Sequence, residues 1–182
     1  MSVRGYTLLE LVIVIIIMSI VAVFVGPVLS NAVTSYDTTS RNVEVLTRMR
    51  YAMERMEREV RHVRRSAANS ANYDISTMAA GQLVFTNTDG NQVSIDNLTA
   101  GEVRLGYSTP AATATLTDAV TEFCISYCRI DGATCTLNSG TCTASGSTVD
   151  ATDVAFAEIR MKLAGSGTLE YTNTMRVSLR IP

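Results

Sequence analysis

The hydrophobic residues of the chain are concentrated in one run close to the N-terminus. Residues 11–25 are apolar apart from Ser19, and flanking leucines and valines extend the run to 8–29. At ~1.5 Å per residue, a helix over this stretch is about 33 Å long, enough to cross the ~30 Å apolar core of a bilayer. The residues that follow, GPVLS at 26–30, fit a signal-peptidase site poorly. The run predicts one membrane-spanning helix, with an uncleaved signal anchor as the alternative.

A second periodic pattern follows, in which apolar residues recur at steps of three and four as far as about Arg65. This spacing predicts an amphipathic continuation of the helix over 30–65. The stripe covers only about three heptads and precedes strand-like sequence, which favours packing on a sheet over a coiled-coil stalk. Its methionines are therefore expected in the core, His62 on the surface, and the charged residues in solvated i,i+4 pairs. The stripe is Leu46, Met49, Met53, Met56, Val60 and Val63, and the pairs are Glu44/Arg48, Glu54/Arg58 and Glu57/Arg61.

Beyond residue 65 the sequence changes to short alternating runs that are typical of strands. The dipeptide Asp89-Gly90 between two such runs predicts a hairpin turn. Together the patterns predict an α+β fold, in which the long N-terminal helix, first transmembrane and then amphipathic, packs on an antiparallel β-sheet. The predicted strands are 82–86, 92–96, 102–107, 120–127, 153–163 and 175–181, with Phe123, Ile125, Tyr127, Val177, Leu179 and Ile181 facing inward.

Composition limits the chemistry that the chain can perform. Its 182 residues include 15 Lys+Arg, 17 Asp+Glu, one histidine and no tryptophan. The eight arginines of 41–65 are interleaved with four glutamates, which favours a solvated helix face over a nucleic-acid site. No nucleotide-binding or nucleophile motif is present, and the aspartates lack calcium-loop spacing. We therefore expect no enzyme activity, catalytic residue, metal or cofactor. The aspartates considered are Asp74, Asp89, Asp96, Asp118, Asp131, Asp150 and Asp153.

The four cysteines, Cys124, Cys128, Cys135 and Cys142, lack the Cys-x2-Cys pairs of zinc ribbons. In an oxidising compartment they are expected to form disulfides. Cys124 and Cys128 are predicted to share one strand, which would hold them ~13 Å apart, beyond the ~7 Å limit for a bridge. This leaves 124–142 with 128–135, or the crossed alternative. The nested form is preferred because it closes a hairpin-like loop.

The order of residues around the apolar run carries a further signal. Residues 4–15, RGYTLLELVIVI, resemble the type IV pilin superfamily, whose signature is a basic leader ending in Gly, an aromatic or Met first mature residue, and Glu at the fifth mature position. By this resemblance, residues 1–5 are a leader that prepilin peptidase removes between Gly5 and Tyr6. The enzyme then N-methylates Tyr6, and residues 6–29 remain as the transmembrane and filament-core helix.

The same resemblance assigns assembly roles to Thr7, Glu10 and Pro27. In the family, the acid meets the α-ammonium group of a neighbouring subunit's first residue, and the proline gives flexibility during packing or a kink where the helix leaves the membrane. An isolated charge in a membrane segment costs on the order of 3 kcal/mol, so such groups tend to be paired. The alternative is that Glu10 only complements the helix dipole, which contributes ~0.5 kcal/mol. At Pro27 the missing hydrogen bond predicts a kink or local melting.

Three later segments, LTRMRYAMERMEREVRHVRRS, QLVFTNTDGNQVSI and VTEFCISYCRIDG, are similar to minor pilins of the PilW and MshO kind and to the J-type pseudopilin of type II secretion. This resemblance implies a subunit that primes or caps a type IV pilus or secretion pseudopilus. Residues 66–182 would be its periplasmic globular domain, with one crossing of the bacterial inner membrane before entry into the filament tip. Its partners would be prepilin peptidase, other minor and major subunits, and the inner-membrane assembly platform. The alternative is a membrane-anchored periplasmic binding or adhesin module that does not polymerise.

Overall fold

The computed structural model describes residues 7–67, 72–129 and 151–179. Over these residues the chain forms one long helix and eight strands. It divides into two compact units, Met1–Asn42 and Val43–Pro182. The helix is α1 (Leu8–Arg61), and the strands are β1 (Ile75–Ala79), β2 (Gln82–Thr86), β3 (Gln92–Asp96), β4 (Val103–Ser108), β5 (Ala111–Thr117), β6 (Val120–Arg129), β7 (Val154–Ala164) and β8 (Glu170–Ser178).

The described part of the N-terminal unit consists of Thr7 and the portion of helix α1 that ends at Asn42. Every side chain from residue 7 to residue 37 is exposed. Within the described chain, α1 is the one helix long and apolar enough to cross a membrane, and none of its apolar window is buried. The hydroxyl of Ser19 donates to the carbonyl of Ile15 at 2.8 Å, which satisfies the one polar side chain of residues 11–25 within the helix itself. An apolar surface of this size needs lipid or another protein to cover it.

Helix α1 continues through Gly26 and Pro27 without interruption. The local melting predicted as one of two outcomes at this place is therefore wrong, while the kink stays a prediction. Pro27 has no N–H to donate to the carbonyl of Val23, so the hydrogen-bond ladder lacks one member here. The helical turns before and after the proline keep their backbone hydrogen bonds, and these bonds hold the segment helical.

The predicted α+β class is confirmed, but two antiparallel sheets take the place of the single sheet expected. Strands β1 to β5 form a five-stranded meander in chain order, and β6, β7 and β8 form a second meander of three strands. The chain leaves the first sheet in the tight turn between β5 and β6, where Ala119 has a positive φ of 56°. After this turn β6 pairs with β7 and not with β5. The pattern of apolar and polar residues did not predict the backbone conformation at Ala119.

The hydrophobic core of the C-terminal unit joins the amphipathic part of α1 to both sheets. Met49, Met53, Met56, Val60 and Val63 are all buried, so the methionine-rich stripe is core as predicted. Leu46 is a correction, because its side chain is 45% exposed and Val45 packs against the core instead. The predicted inward residues Phe123, Ile125, Tyr127, Val177 and Leu179 are also buried, and Ile181 lies outside the described residues.

The end of α1 and its ion pairs differ slightly from the prediction. The helix ends at Arg61, four residues before the predicted end, because Val63 and Arg65 form bridges with Asn87 and Tyr73. Two of the three predicted pairs, Glu44–Arg48 and Glu57–Arg61, are formed, and Arg48 also contacts Asp118 at 2.8 Å. The described side chains of Glu54 and Arg58 form no ion pair. His62 is exposed, as expected.

The predicted hairpin at Asp89-Gly90 joins β2 to β3, and the structure confirms it. The Oδ1 atom of Asn87 accepts the backbone N–H of Asp89 and of Asn91, and Gly90 has a φ of 84° that favours glycine. Strands β1 and β5 were not predicted. β5 has the sequence AATATLT and is exposed over its first five residues, so this edge strand lacks the alternation that marks a half-buried strand. Strand β8 begins at Glu170, five residues before the predicted start.

Tyr127 joins the two sheets at their junction. Its side chain is buried, and its hydroxyl lies 3.1 Å from the carbonyl oxygen of Ala79 and 3.3 Å from that of Gln82, either of which can accept its proton. The backbone N–H of Ile125 donates to the carbonyl of Ala80 at 2.7 Å. Strand β6 of the second sheet is thereby bonded to the β1–β2 turn of the first.

Candidate processing and assembly site

The first turn of α1 places Thr7 and Glu10 together. The backbone N–H of Glu10 donates to the side-chain oxygen of Thr7 at 3.3 Å, and the backbone N–H of Leu11 donates to the Thr7 carbonyl at 3.2 Å. Thr7 is therefore the N-cap of the helix, and Glu10 stands three residues later, which is the spacing of a capping box. This gives Thr7 a local structural role in addition to the assembly role that was predicted for it.

The Glu10 carboxylate is the feature of this turn that local structure does not satisfy. It lies in the first turn of the helix and is exposed, and within the described residues it has no hydrogen-bond or ion-pair partner. Its neighbours Leu8, Leu9 and Leu11 are 82%, 70% and 59% exposed. A carboxylate in such apolar surroundings, at the edge of a membrane segment, costs free energy unless a cation from another molecule pairs with it. The geometry suits binding of an ammonium or guanidinium group supplied by another molecule.

The remaining predicted residues of this segment are not part of the same cluster. Gly5 and Tyr6, the predicted cleavage site, lie outside the described residues. Pro27 is 17 residues beyond Glu10, or about 26 Å along the helix at 1.5 Å per residue. Thr7 and Glu10 are thus the pair that the structure brings together, and Pro27 lies well away from both of them.

The described cysteines lie on one face of one strand. Cys124 and Cys128 both belong to β6 and are buried, which confirms that they share a strand. In the register with β7, Cys124 lies opposite Arg160 and Cys128 opposite Phe156, so four residues separate them along the sheet and they cannot bridge one another. Neither is a free thiol. Cys135 and Cys142 lie outside the described residues, so the two pairings stay a prediction.

A buried polar cluster between α1 and β4 was missed in the sequence. Glu59, the one charged residue that is buried in the described part of the chain, accepts hydrogen bonds from Arg55 at 2.8 Å and from the hydroxyl of Tyr107 at 2.6 Å. Arg55 also donates to the Tyr107 oxygen at 2.6 Å. The three groups satisfy one another, which is what a buried carboxylate requires. We assign the cluster to anchoring the helix on the first sheet.

Both tyrosines of these networks have a raised pKa. Burial, together with the hydrogen bond to Glu59, raises the pKa of Tyr107 above its ordinary 10.0, and burial raises that of Tyr127 further. The folded state therefore keeps both protons at a pH where the unfolded chain releases them. The stability contributed by protonated Tyr107 and Tyr127 is present in full below about pH 10 and is lost as the pH rises above it.

We accordingly expect the denaturant midpoint of the chain to fall as the pH rises above about 10. Far-ultraviolet circular dichroism gives the midpoint, and tyrosinate absorbance shows which state has lost its protons. Tyr127→Phe should reduce the slope of midpoint against pH, because the phenol that resists ionisation is gone. Tyr51→Phe, at a side chain that is 62% exposed, is the matched control and should leave the slope unchanged. Equal slopes in all three proteins would contradict the assignment.

Among the described residues no group of three or more His, Cys, Asp or Glu side chains is placed to hold a metal ion.

Comparison with known families adds one finding. The model of the prokaryotic N-terminal methylation motif matches residues 1–26, which include Gly5, Tyr6, Thr7 and Glu10 together with most of the apolar run. No curated protein matches the chain. The N-terminal segment therefore carries a pilin-like prepilin signal, which supports processing by prepilin peptidase and fits a membrane-anchored structural subunit.

Proposed function

We propose that the chain is a minor pilin or pseudopilin subunit that primes the assembly of a type IV pilus or a type II secretion pseudopilus, or caps it. The observation that carries this proposal is the methylation motif at 1–26, together with an apolar helix whose membrane-length window is not buried by any described part of the chain. Residues 1–5 would be the leader, residues 6–29 the membrane and filament-core helix, and the β-rich unit the periplasmic domain. Filament assembly supplies the apolar helix with neighbours of its own kind.

Glu10 would carry the contact that selects the next subunit. Cleavage after Gly5 leaves an α-amino group on Tyr6, and N-methylation keeps it cationic. This ammonium group on a neighbouring subunit is the cation that suits the unpaired Glu10 carboxylate, since each neutralises the other in an apolar core. The pairing sets the axial position of each helix against the next, because only one register brings the two charges together.

The minor-subunit assignment is supported by the later part of the chain. Its amphipathic helix, its β2–β3 hairpin and the sequence of β6 are similar to the PilW and MshO minor pilins and the J-type pseudopilin. The partners on this proposal are prepilin peptidase, other minor and major subunits and the inner-membrane assembly platform, with no catalytic role and no nucleic acid.

The first test is intact-mass and N-terminal analysis of the membrane-extracted chain, with and without an active prepilin peptidase. We expect a chain that begins at methylated Tyr6 only when the peptidase is active. Gly5→Leu should block cleavage, because the side chain occupies the position before the cut. Gly26→Ala is the matched control, since an added Cβ at Gly26 meets nothing within 4 Å, and it should be cleaved normally.

The same measurement separates the proposal from its alternatives. A chain that still starts at Met1 with the peptidase active would overturn the processed-subunit proposal and favour an anchored periplasmic module that does not polymerise. A chain cut after the apolar run would identify a secreted domain. If processing is as expected, the ratio of this chain to the major subunit in sheared filaments distinguishes a minor subunit from a major one.

A further inference from the structure

The part of helix α1 between its apolar run and its packed end lies outside the hydrophobic core formed by the described residues. Residues 30–41 are helical throughout, and all of their side chains are exposed except that of Thr38, which is half-buried. None of them belongs to the hydrophobic core. The turns before this segment are apolar, and a bilayer enforces helix there because unbonded backbone groups in lipid are costly. The turns after it, from Met49 to Val60, are buried against the sheets.

The residues of this segment are also poor helix formers. Ten of its twelve residues, all but Ala32 and Arg41, are Ser, Thr, Asn, Asp, Val or Tyr, which rank below Ala, Leu, Lys and Glu in helix propensity. The hydroxyls of Thr34, Thr38 and Thr39 each donate to the carbonyl four residues before, at 3.0, 2.9 and 2.8 Å. Such bonds compete with the backbone ladder and slightly destabilise a helix.

The stabilising contacts within the segment are few. Asp37 and Arg41 form an i,i+4 ion pair at 3.0 Å, but both side chains are more than half exposed, and an exposed pair contributes little. At the N-terminal border, Pro27 removes one hydrogen bond from the ladder. At the other border, the boundary between the two compact units follows directly, at Asn42.

We propose that residues 30–41 are a hinge, which opens locally to coil while the apolar helix and the globular unit stay folded. Local opening costs the least free energy where few apolar contacts are lost and the backbone hydrogen bonds already face water, and residues 30–41 meet both conditions. Twelve residues span about 18 Å as helix and about 40 Å when extended. Opening therefore lets the globular unit move independently of its membrane anchor and lengthens the connecting segment by up to about 22 Å.

Hydrogen exchange of the full chain in lipid nanodiscs tests the hinge directly. We expect the amides of residues 31–41 to exchange at least about 100-fold faster than those of the packed helix from Ala52 to Val60. The amides of the apolar run should be protected by the bilayer. Equal protection of residues 31–41 and of the packed helix would overturn the proposal, because a helix that does not open cannot act as a hinge.

Two threonine variants provide a matched pair for the same experiment. Thr39 and Thr47 are both exposed, and each donates to the carbonyl four residues before it at 2.8 Å, but Thr47 lies between Val45 and Met49, which both pack on the hydrophobic core. Thr39→Ala should slow exchange in residues 31–41 by about threefold, as expected from the difference in helix propensity. Thr47→Ala should leave these amides unchanged. If Thr39→Ala has no effect, or if both variants have the same effect, the hinge is excluded.

Discussion

Replacement of Glu10 by alanine is expected to lower incorporation of the chain into filaments at least tenfold, while cleavage between Gly5 and Tyr6 continues. Among the described residues the carboxylate has no partner, and it stands among exposed leucines, so its expected partner is the ammonium group of a neighbouring subunit. A loss of about 1.4 kcal/mol in a subunit contact already changes its equilibrium constant tenfold. Removal of a charge makes insertion of the helix into the membrane easier, so impaired insertion cannot account for the loss.

Two further variants separate charge pairing from helix capping. Glu10→Gln keeps a side chain suited to the third position of a capping box but has no charge, whereas Thr7→Ala removes the cap and keeps the acid. If the charge acts, Glu10→Gln fails to assemble and Thr7→Ala assembles. The opposite pattern would assign the residue to the cap. The measurement is the fraction of chain in sheared filaments, with intact mass as the check on processing, and assembly of Glu10→Ala at the unchanged level would refute the assembly role.

The parts of the fold that could be predicted from the sequence are those that produce a local periodic pattern of apolar residues. The steps of three and four from Met49 to Val63 identified the core face of α1, and the alternation in 82–86 and 92–96, with Asp89-Gly90 between them, identified a hairpin. Strand β5 was missed because its edge position requires no large side chains, and its Ala-Thr alternation gives no signal. The division into two sheets depends on the turn at Ala119, and the spacing of apolar residues gives no indication of that turn.

Among the site residues, too, those that form a local sequence pattern were predicted and those brought together from distant parts of the chain were missed. Thr7 and Glu10 are only three residues apart in the sequence, so a short motif was enough to find them. The Arg55–Glu59–Tyr107 cluster was missed because Arg55 and Glu59 were interpreted as solvated, and Tyr107 is 48 residues beyond Glu59 in the chain. One signal was present: Glu59 follows Met56 by three and precedes Val63 by four, so it lies on the buried stripe. A charged residue at a buried position needs a hydrogen-bond or ion-pair partner, which the facing sheet can supply.

The largest stability effect is expected at Met56, whose side chain is fully buried between α1 and the sheets. Met56→Ala should lower the free energy of unfolding of the globular unit by about 2–5 kcal/mol, since it removes apolar contacts and leaves a cavity that the neighbours only partly fill. Denaturant unfolding, followed by circular dichroism in detergent, measures the change. The midpoint should fall while the slope against denaturant concentration stays the same, because the surface exposed on unfolding hardly differs.

Leu46→Ala is the control that makes this measurement a test of the helix face and not of hydrophobicity in general. Leu46 and Met56 share the spacing that defined the stripe, but Leu46 is 45% exposed and Met56 is not exposed at all. Leu46→Ala should therefore change the unfolding free energy by no more than about 0.5 kcal/mol, the usual range for a surface position. Equal losses in the two variants would mean that Leu46 is as deeply packed as Met56. The stripe would then begin one turn earlier, as its spacing alone predicts.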